Sequence, residues 1–447
     1  MLRSFDLAVI GTGSAAKSVA SPCRAAGWTV AMVDDRAFGG TCANRGCDPK
    51  KVLVGVSSVF DAARRMQGNG LSTQNLRMSW PEAMRFKGGF TDGVPASTEK
   101  SLADEGIESF HGTARFVSAE ALEVDGERIE ARHFAICAGA TPVRLGIPGE
   151  ELLITSDDFL ELSEIPESVV FVGGGYIAFE FAHLAARAGA SVTILHRGKS
   201  PLGKFDPWLV EMLLADSRRI GIDVRLASAV ERVEGTLGDF TVHIAGGAKV
   251  GAGLVVHAAG RVPNLEALDL GAAGIEATGA GVKVNEFLAS VSHPRAYAAG
   301  DAADSGGPQL TPVAGLEGRI VAQNLLQGNH ERADYKGCAS VVFTTPPLAS
   351  VGLTEEAAQR DKLEFDVRSG DSSGWYSSRR LAEHASGYKV LIERGSERIL
   401  GAHLFGESAD EHINVFALAI RAGLAAPVLR QTLFAYPTHG SNTQYML

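Results

Sequence analysis

The sequence predicts an α/β fold in which one pattern, an apolar strand running into a glycine-rich turn and a helix, occurs twice. The first copy starts at the strand Phe5 to Ile10 and the second at the strand Val169 to Val172. In each copy a further strand follows the helix, an order that separates a Rossmann-like dinucleotide-binding domain from a chance glycine motif. The remaining C-terminal part has no third glycine turn. It alternates predicted strands, such as Val341 to Phe343 and Lys389 to Ile392, with a predicted helix from Ala409 to Ala422, which indicates an α+β domain.

The first glycine turn reads Gly11-Thr12-Gly13-Ser14-Ala15-Ala16. Glycines at the first and third positions let the backbone turn tightly and approach a pyrophosphate, whose charge faces the helix N-terminus. The second strand, Val30 to Val33, ends at Asp34, where a carboxylate would bind the ribose hydroxyls of an adenosine. These residues predict the first dinucleotide site.

The second turn, Gly173-Gly174-Gly175-Tyr176-Ile177-Ala178, leads into a helix through Arg187 and a strand from Ser191 to Leu195. That strand is followed by His196-Arg197-Gly198-Lys199 and not by an acid. A carboxylate there would repel a 2′-phosphate, whereas the guanidinium of Arg197 can bind it bidentately. The second site therefore favours NADPH over NADH, with a solvated basic turn as the alternative.

Cys42 and Cys47 lie, with four residues between them, in a glycine-rich segment that reads as a loop entering a helix. The other cysteines, Cys23, Cys137 and Cys338, are isolated and supply no second half-site for a metal, so we expect them to be ordinary buried apolar residues. A helix N-terminus lowers the pKa of a nearby thiol. The spacing favours a redox pair, with two buried structural cysteines as the alternative.

Two nucleotide sites and a dithiol imply an electron relay from NADPH through a flavin to a disulfide. Further segments are similar to one flavoprotein family in order along the chain: Gly139 with Ile147-Pro148-Gly149, Gly260-Arg261-Val262-Pro263-Asn264, Tyr297-Ala298-Ala299-Gly300-Asp301, Leu310-Thr311-Pro312-Val313-Ala314, and Pro346-Pro347 with Val351-Gly352-Leu353-Thr354. The chain resembles, over essentially its whole length, the pyridine nucleotide–disulfide oxidoreductases, the family of glutathione reductase, dihydrolipoamide dehydrogenase and mercuric reductase.

The resemblance implies three domains and a homodimer. An FAD-binding domain would comprise residues 1–148 and 265–330, interrupted by an NAD(P)-binding domain at 149–264. Residues 331–447 would form the interface domain. The 447-residue length agrees with about three domains of ordinary size.

The resemblance also assigns roles to residues. Cys47 would lie against the flavin and Cys42 would exchange electrons with the substrate. Lys50 would lie beside flavin N5 with Glu180 as its ion-pair partner, although a purely structural ion pair is the alternative. The other implied cofactor contacts are Gly11, Gly13, Asp34, Ser14, Ala15 and Thr41 around the first dinucleotide, Ala114 beside its adenine, Asp301 on the ribityl chain and Thr311 near the flavin ring, with Gly173, Gly175, Tyr176, Ile177, Arg197 and Gly260 at the nicotinamide side.

The C-terminal segment departs from the family pattern of a histidine followed shortly by a glutamate. Tyr436 stands at the histidine position and Ser441 at the glutamate position. A phenol with a pKa near ~10 is a poorer proton shuttle at neutral pH than an imidazole near ~6.5. His439 could substitute if its turn aims it inward.

A tyrosine at this position is similar to mercuric reductases, which also carry a C-terminal cysteine pair, but here the last cysteine is Cys338. A small disulfide is the predicted acceptor. Reduction of a metal ion or a quinone, or a redox sensor with little turnover, are the alternatives. Asp48, directly after Cys47, would oppose thiolate formation unless it caps the helix.

Composition excludes several classes of partner. Hydrophobic residues make up 45% of the chain, but no apolar run approaches the ~20 residues that span a bilayer. The first strand reaches its glycines too early for a secretory signal, so a cytoplasmic protein is expected. A net charge of −10 offers no general basic face for nucleic acid.

Overall fold

The computed structural model describes residues 3–447, in which helices alternate with parallel strands before a mostly antiparallel C-terminal part. The strands in chain order are β1 (Arg3–Ile10), β2 (Val30–Asp34), β3 (Glu108–His111), β4 (Ala114–Ser118), β5 (Ala121–Val124), β6 (Glu127–Ile136), β7 (Ala140–Pro142), β8 (Ser168–Val172), β9 (Ser191–Leu195), β10 (Asp223–Arg225), β11 (Val230–Thr236), β12 (Asp239–Ile244), β13 (Lys249–Ala252), β14 (Leu254–His257), β15 (Arg261–Pro263), β16 (Ala277–Thr278), β17 (Gly281–Lys283), β18 (Ala296–Ala298), β19 (Ala303–Asp304), β20 (Ala339–Val342), β21 (Leu348–Gly352), β22 (Phe365–Asp371), β23 (Gly387–Glu393) and β24 (Ile399–Phe405).

The helices are interleaved with these strands. In chain order they are α1 (Ser14–Ala25), α2 (Gly40–Arg45), α3 (Cys47–Arg65), α4 (Trp80–Thr91), α5 (Val94–Glu105), α6 (Ser156–Phe159), α7 (Tyr176–Arg187), α8 (Pro207–Arg219), α9 (Thr311–Gln327), α10 (Glu355–Arg360), α11 (Tyr376–Arg379), α12 (Ala409–Ala422) and α13 (Ala426–Gln431), with 3₁₀ turns at Glu150–Leu152, Glu266–Leu268, Leu270–Ala273, Gly300–Ala302 and Gly440–Tyr445. None of the helices within residues 3–447 combines the length and apolar character that crossing a bilayer requires.

The described chain forms two compact units, one of residues up to 50, 86–143 and 260–335, the other of residues 51–85, 144–259 and 336–447. The first unit is built on a sheet in the order β3-β2-β1-β6-β5-β4, with β18 also paired to β6. The pairs β3-β2, β2-β1, β1-β6 and β6-β18 are parallel, whereas β4 and β5 add antiparallel strands.

The second half of the central strand β1, Leu7 to Ile10, is one continuous apolar run because both faces of the sheet are covered. Ala8 and Ile10 contribute to one buried cluster, while Leu7 and Val9 contribute to the cluster on the opposite face, which includes residues of α1 and α9. Alternation of side chains along a strand produces this division. The glycine turn after β1 is therefore held at the edge of a well-packed layer.

The second unit also contains a parallel sheet with both faces covered, in the order β10-β9-β8-β14. Val169 and Phe171 of β8 face one buried cluster, and Val170 and Val172 face another. A three-stranded antiparallel sheet, β11-β12-β13, belongs to the same unit.

The C-terminal part of the second unit is an antiparallel sheet in the order β20-β21-β24-β23-β22, covered by α12. The predicted helix Ala409 to Ala422 has the observed bounds. The strand predicted to include Phe343 ends instead at Val342. The backbone N–H of Phe343 does not pair with a neighbouring strand, because it donates to Oε1 of Glu180 at 2.7 Å.

A buried charge network ties α3 to its neighbours within the second unit. Asp61 accepts from Arg187 through Oδ1 at 2.8 Å and from Arg65 through Oδ2 at 3.0 Å. Arg187 also donates to the carbonyl oxygen of Thr345, and Arg65 donates to Glu407. Because both arginine side chains are almost fully buried, their charges need compensation: Asp61 compensates both arginines, and Glu407 adds a second carboxylate at Arg65.

Candidate active site

The first glycine turn is fixed by backbone geometry that only glycine allows. Gly11 has φ +105°, and a Cβ there would overlap the carbonyl oxygen of Cys137, directly after β6. Its N–H donates to the carbonyl oxygen of Val33 at 2.7 Å. The turn therefore follows β1 and lies between the ends of β2 and β6, and α1 starts at Ser14 with the N–H groups of its first turn directed at the glycines.

Thr12, which the sequence interpretation passed over, connects this turn to the end of β2. Its hydroxyl donates to Oδ2 of Asp34 at 2.6 Å and accepts from the N–H of Gly39 at 3.1 Å. Asp34 is the last residue of β2, as predicted from the strand pattern. In the sequence, the available signal for Thr12 was a hydroxyl residue between two glycines of the turn. The structure shows that its side chain is buried.

The cysteine segment packs directly on the first turn. Gly39 and Gly40 have φ +109° and +74°, and a Cβ on Gly40 would overlap the Cα of Gly13. Asn44, also missed, locks the segment by donating to the carbonyl oxygens of Phe38 and Gly40, both at 3.0 Å. The dithiol is thereby held against the predicted pyrophosphate site.

The two cysteines occupy two consecutive helices, where the sequence indicated a single loop entering a helix. Cys42 lies within the short helix α2, and Cys47 is the first residue of α3. Gly46 permits the break, since a Cβ there would lie 2.9 Å from the carbonyl oxygen of Thr41. The expected placement at a helix N-terminus is thus met by Cys47 alone.

The environment of the dithiol separates the acidities of its two sulfurs. A hydrogen bond from Cys42 lowers the pKa of Cys47 to about 6, and contacts with Thr311 and Lys50 act in the same direction. Partial burial of the Cys47 sulfur and the Asp48 carboxylate raise the pKa of Cys47. The contacts with Cys42, Thr311 and Lys50 outweigh them, so the pKa is lowered. The Cys47 sulfur lies 3.4 Å from the Thr311 hydroxyl oxygen.

Cys42 shows the opposite shift. The hydrogen bond that it donates to Cys47 raises its own pKa, and burial and the charges of Cys47 and Asp48 raise it further. Asp48 Oδ1 lies 4.0 Å from the Cys42 sulfur. In the reduced pair, the proton therefore stays on Cys42 and the negative charge on Cys47. Asp48 opposes both thiolates, as the sequence suggested.

The other predicted residues of the first site lie on neighbouring elements of the same unit. Thr311 opens α9, and Asp301 lies in the turn Gly300–Ala302, where burial raises the pKa of its carboxyl group and Arg261 opposes that shift. A Cβ on Gly300 would lie 3.5 Å from the Cβ of Ala15. The remaining positions are Ser14 and Ala15 at the start of α1, Thr41 in α2, Lys50 buried in α3, Ala114 buried at the start of β4, and Gly260 with φ +121° directly before β15.

The second glycine turn uses the same geometry. Gly173 has φ +139°, a Cβ there would overlap the carbonyl oxygen of Ala258 directly after β14, and its N–H donates to the carbonyl oxygen of Leu195 at 2.9 Å. Gly175 precedes α7, which begins with Tyr176 and Ile177. Tyr176 is 51% exposed.

His196 takes the position in the second unit that Asp34 takes in the first, immediately after the residue that receives the glycine N–H. A Cβ on Gly174 would overlap the His196 ring, whose Nε2 lies 3.1 Å from the carbonyl oxygen of Ser200. Arg197 is exposed beside it. The sequence identified the basic turn but not the packing of the imidazole on the glycines.

Glu180 is buried in α7 and accepts the Phe343 N–H described above. Lys50 is buried in α3. The predicted ion pair between Lys50 and Glu180 stays a prediction.

The C-terminal segment presents Tyr436 and turns His439 inward. Tyr436 is 76% exposed. His439 Nε2 lies 3.1 Å from Oε1 of Glu383, and both side chains are largely buried. Ser441 closes a local turn by donating to the carbonyl oxygen of Thr438 at 2.7 Å. Glu383 was not identified from the sequence, because it lies far from the segment that it holds.

The other cysteines lie apart from this chemistry. Cys23 and Cys137 are buried, and burial raises the pKa of each to about 12. Cys338 is half-buried, which corrects the expectation of a buried side chain. Among residues 3–447, no group of three or more His, Cys, Asp or Glu side chains is arranged to hold a metal ion.

Comparison with known families gives two matches that together cover most of the chain. Residues 5–318 match the family described as pyridine nucleotide-disulphide oxidoreductase, and residues 338–447 match its dimerisation domain.

Curated relatives match the chain over nearly its full length. It is 32% identical to a glutathione reductase of Burkholderia cepacia over 97% of this chain and 96% of that protein. It is 32% identical to a mercuric reductase of Staphylococcus aureus over 97% of this chain and 80% of that protein.

Among solved structures, the Cu(II) complex of the HOCl-induced flavoprotein disulfide reductase RclA from Escherichia coli superposes with a TM-score of 0.89. The two share 28% sequence identity over 99% of each chain.

Proposed function

Since this chain belongs to the pyridine nucleotide-disulphide oxidoreductase family, we propose that it is an NADPH-dependent reductase of small disulfides. Membership makes it an oxidoreductase enzyme that uses FAD and a pyridine nucleotide. NADPH as the donor, a disulfide as the acceptor and Cys42–Cys47 as the pair that connects them are our additions.

The residues of the first unit fit an FAD. A Cβ at Gly11 would overlap a carbonyl oxygen, so this position requires glycine. Because glycine has no side chain, a pyrophosphate can approach the backbone closely. Asp34 ends β2 beside the turn, and Thr12 orients its carboxylate. Bound FAD would supply the two-electron exchange between the pyridine nucleotide and the dithiol. Thr41, Ala114, Asp301 and Thr311 are the further proposed contacts.

The observation that carries the proposal is the division of charge within the dithiol. Cys47, with its lowered pKa, carries the thiolate, and the proton on Cys42 can pass to it along their hydrogen bond. The resulting Cys42 thiolate attacks a disulfide RSSR and displaces RS⁻. Cys47 then loses its proton to that group, giving RSH, and attacks the mixed disulfide at Cys42. The products are the Cys42–Cys47 disulfide, RSH and RS⁻.

Arg197 supports NADPH as the donor. It is exposed beside the second glycine turn, at the end of a strand that no acid follows. A guanidinium in that place can form charge-assisted hydrogen bonds with a 2′-phosphate. We also assign Gly173, Gly175, Tyr176, Ile177 and Gly260 to cofactor binding, and we propose Lys50 as the lysine beside flavin N5, with Glu180 as its ion-pair partner.

Reduction of a metal ion is the second candidate function. The exposed side chain at the family's histidine position is the Tyr436 phenol, which supplies protons to departing thiols less readily at neutral pH than an imidazole does. Relatives named mercuric reductase and a related reductase solved with Cu(II) favour the same alternative. Quinone reduction and redox sensing with little turnover are the remaining alternatives.

We propose that the enzyme works in the cytoplasm, because its disulfide must be reduced again after each turnover. The match to the dimerisation domain supports a homodimer.

Steady-state oxidation of NADPH against glutathione disulfide, other small disulfides, a quinone, Hg(II) and Cu(II) tests the proposal. A disulfide should give the highest kcat/KM, and Cys42→Ser should remove that activity. Turnover with the metal ions alone would transfer the assignment to the second candidate. NADPH oxidation that none of these acceptors stimulates would favour a sensor.

A further inference from the structure

Glu317 is a buried carboxylate that the dithiol chemistry does not use. It lies in α9 and is 1% exposed. Its Oε2 accepts from the backbone N–H of Gly300 at 2.7 Å, and its Oε1 accepts from the hydroxyls of Ser305 and Tyr335, both at 2.6 Å. Such burial is costly for a carboxylate, and these three donors compensate it.

The Gly300 bond ends at the predicted flavin site. Gly300 has φ +68° and directly precedes Asp301. It also packs closely, since a Cβ there would lie 3.2 Å from the Cβ of Ala314 and 3.5 Å from that of Ala15, next to the first glycine turn. The orientation of the Ala299–Gly300 peptide, at the start of the turn that carries Asp301, is thus set by the hydrogen bond to Glu317, and the position of Gly300 is set by this packing.

We propose that Glu317 is a positioning residue for the flavin, because its carboxylate fixes the Gly300–Asp301 turn in the orientation that presents the Asp301 side chain to the cofactor. This inference rests on the proposed function, which takes Asp301 as a contact of bound FAD. Ser305 and Tyr335 hold the other oxygen and contribute to the stability of the unit without touching the turn that leads to Asp301.

The three partners respond differently to replacement of the carboxylate by an amide. A backbone N–H can only donate, whereas a hydroxyl can rotate and accept. In Glu317→Gln the amide oxygen can face Gly300 while its NH₂ group donates to the two hydroxyls, so the turn should be kept. Glu317→Ala leaves the Gly300 N–H buried without an acceptor. Glu317→Asp keeps the charge but withdraws the carboxylate by one methylene.

The experiment measures FAD release from the purified holoenzyme, followed as the fluorescence of free flavin after dilution, well below the unfolding temperature of each variant. Glu317→Ala and Glu317→Asp should release FAD about tenfold to a hundredfold faster than wild type, the range expected for a lost hydrogen bond to a charged group. Glu317→Gln should stay within about threefold of wild type, as a rescue by an amide that satisfies Gly300.

Tyr335→Phe and Ser305→Ala are the matched controls, since each removes one donor to Glu317 and leaves the Gly300 bond intact. They should lower the unfolding temperature while keeping the FAD release rate of wild type. If the FAD release rate of Glu317→Asp is no higher than that of Tyr335→Phe, the proposal is overturned. This test holds even if Glu317→Ala fails to fold. Fast release in Glu317→Gln would overturn it as well. Wild-type protein that holds no flavin would instead refute the proposed function.

Discussion

The two glycine turns share one backbone design and differ in the side chains around it. In both, the first glycine adopts positive φ, donates its N–H to the end of the neighbouring strand and lies against a carbonyl oxygen, that of Cys137 at Gly11 and that of Ala258 at Gly173. The backbone therefore agrees with the proposal that each turn binds a dinucleotide, but it does not indicate which dinucleotide binds at which turn.

The differences lie at the end of the second strand and over the turn. Asp34 has its carboxylate oriented by Thr12, whereas His196 packs on Gly174 with Arg197 exposed beside it. The dithiol segment covers the first turn through Gly40. If the two turns bind the two cofactors as proposed, the choice of cofactor depends on the few side chains that differ around a constant backbone.

The largest effect is expected from breaking each turn separately. Gly11→Ala should give protein without flavin, and Gly173→Ala should give yellow protein that oxidises NADPH very slowly. In each case the new methyl group overlaps a carbonyl oxygen and positive φ alone costs about 1–3 kcal/mol. Flavin absorbance and NADPH kinetics measure the two losses.

Gly279→Ala is the control for a glycine substitution, because nothing lies within 4 Å of a Cβ at that position. It should keep both flavin and activity. Loss of flavin in both Gly11→Ala and Gly173→Ala would show that the two turns do not bind separate nucleotides.

Arg197→Glu sharpens the comparison at the second strand end. It should raise the KM for NADPH by about tenfold to a hundredfold, because a charge-assisted contact worth ~1.5–3 kcal/mol is replaced by repulsion. The KM for NADH should change far less. Equal increases in the KM for NADPH and for NADH would show that Arg197 is only a solvated charge. Lys249→Glu is the control for the change in net charge, because Lys249 is an exposed residue of β13.

Tyr436 lies outside both turns, so changing it should leave flavin content and the KM for NADPH unaltered. Tyr436→Phe should lower turnover of the best acceptor by a factor of about ten or less, since one hydroxyl hydrogen bond is worth ~0.5–1.5 kcal/mol. Tyr436→His should raise disulfide turnover and add a pH dependence near neutrality.

The Tyr436 position would carry no chemistry if the Phe variant matched wild type and the His variant gained nothing on any disulfide. The disulfide assignment would then yield to metal-ion reduction.

The smallest effect concerns the thiolate beside the first turn. The two-electron-reduced holoenzyme should show a long-wavelength thiolate-to-flavin band that Cys47→Ser abolishes and Cys42→Ser keeps. Because the pKa of Cys47 is lowered to about 6, the band should be complete at pH 8 and disappear as the pH falls through about 6. An absorbance titration measures the midpoint.

Two substitutions should move that midpoint in opposite directions, each by less than about one pH unit. Thr311→Val removes a contact that lowers the pKa of Cys47, so the midpoint should rise, and Asp48→Asn removes a charge that raises it, so the midpoint should fall. Identical spectra in the two cysteine variants would contradict the assignment of Cys47 as the thiolate.

Strand and helix periodicity predicted both turns, their strands and the helix Ala409–Ala422, because these elements follow from local apolar patterns. The sequence also placed Cys47 at a helix start. It could not predict the short helix around Cys42, since that depends on Gly40 packing against Gly13, a contact between segments distant in the chain.

Three of the residues missed at the site share that dependence on tertiary contacts. Thr12, Glu317 and Glu383 each bond to partners that are distant in the chain, whereas Asn44 bonds to the nearby Phe38 and Gly40. The contact between His439 and Glu383 also joins residues that are distant in the chain, so the sequence could not show that the imidazole is held while the Tyr436 phenol is exposed. Which of the two takes the acid–base role stays a prediction.

The contact between Gly13 and Gly40 has a consequence for how this enzyme can change over generations. Any side chain at position 40 would occupy the space of the Gly13 backbone, and no smaller residue exists that could make room. A substitution there can have no single-site suppressor at position 13, so laboratory selection for revertants should return glycine itself or rebuild the whole cysteine segment.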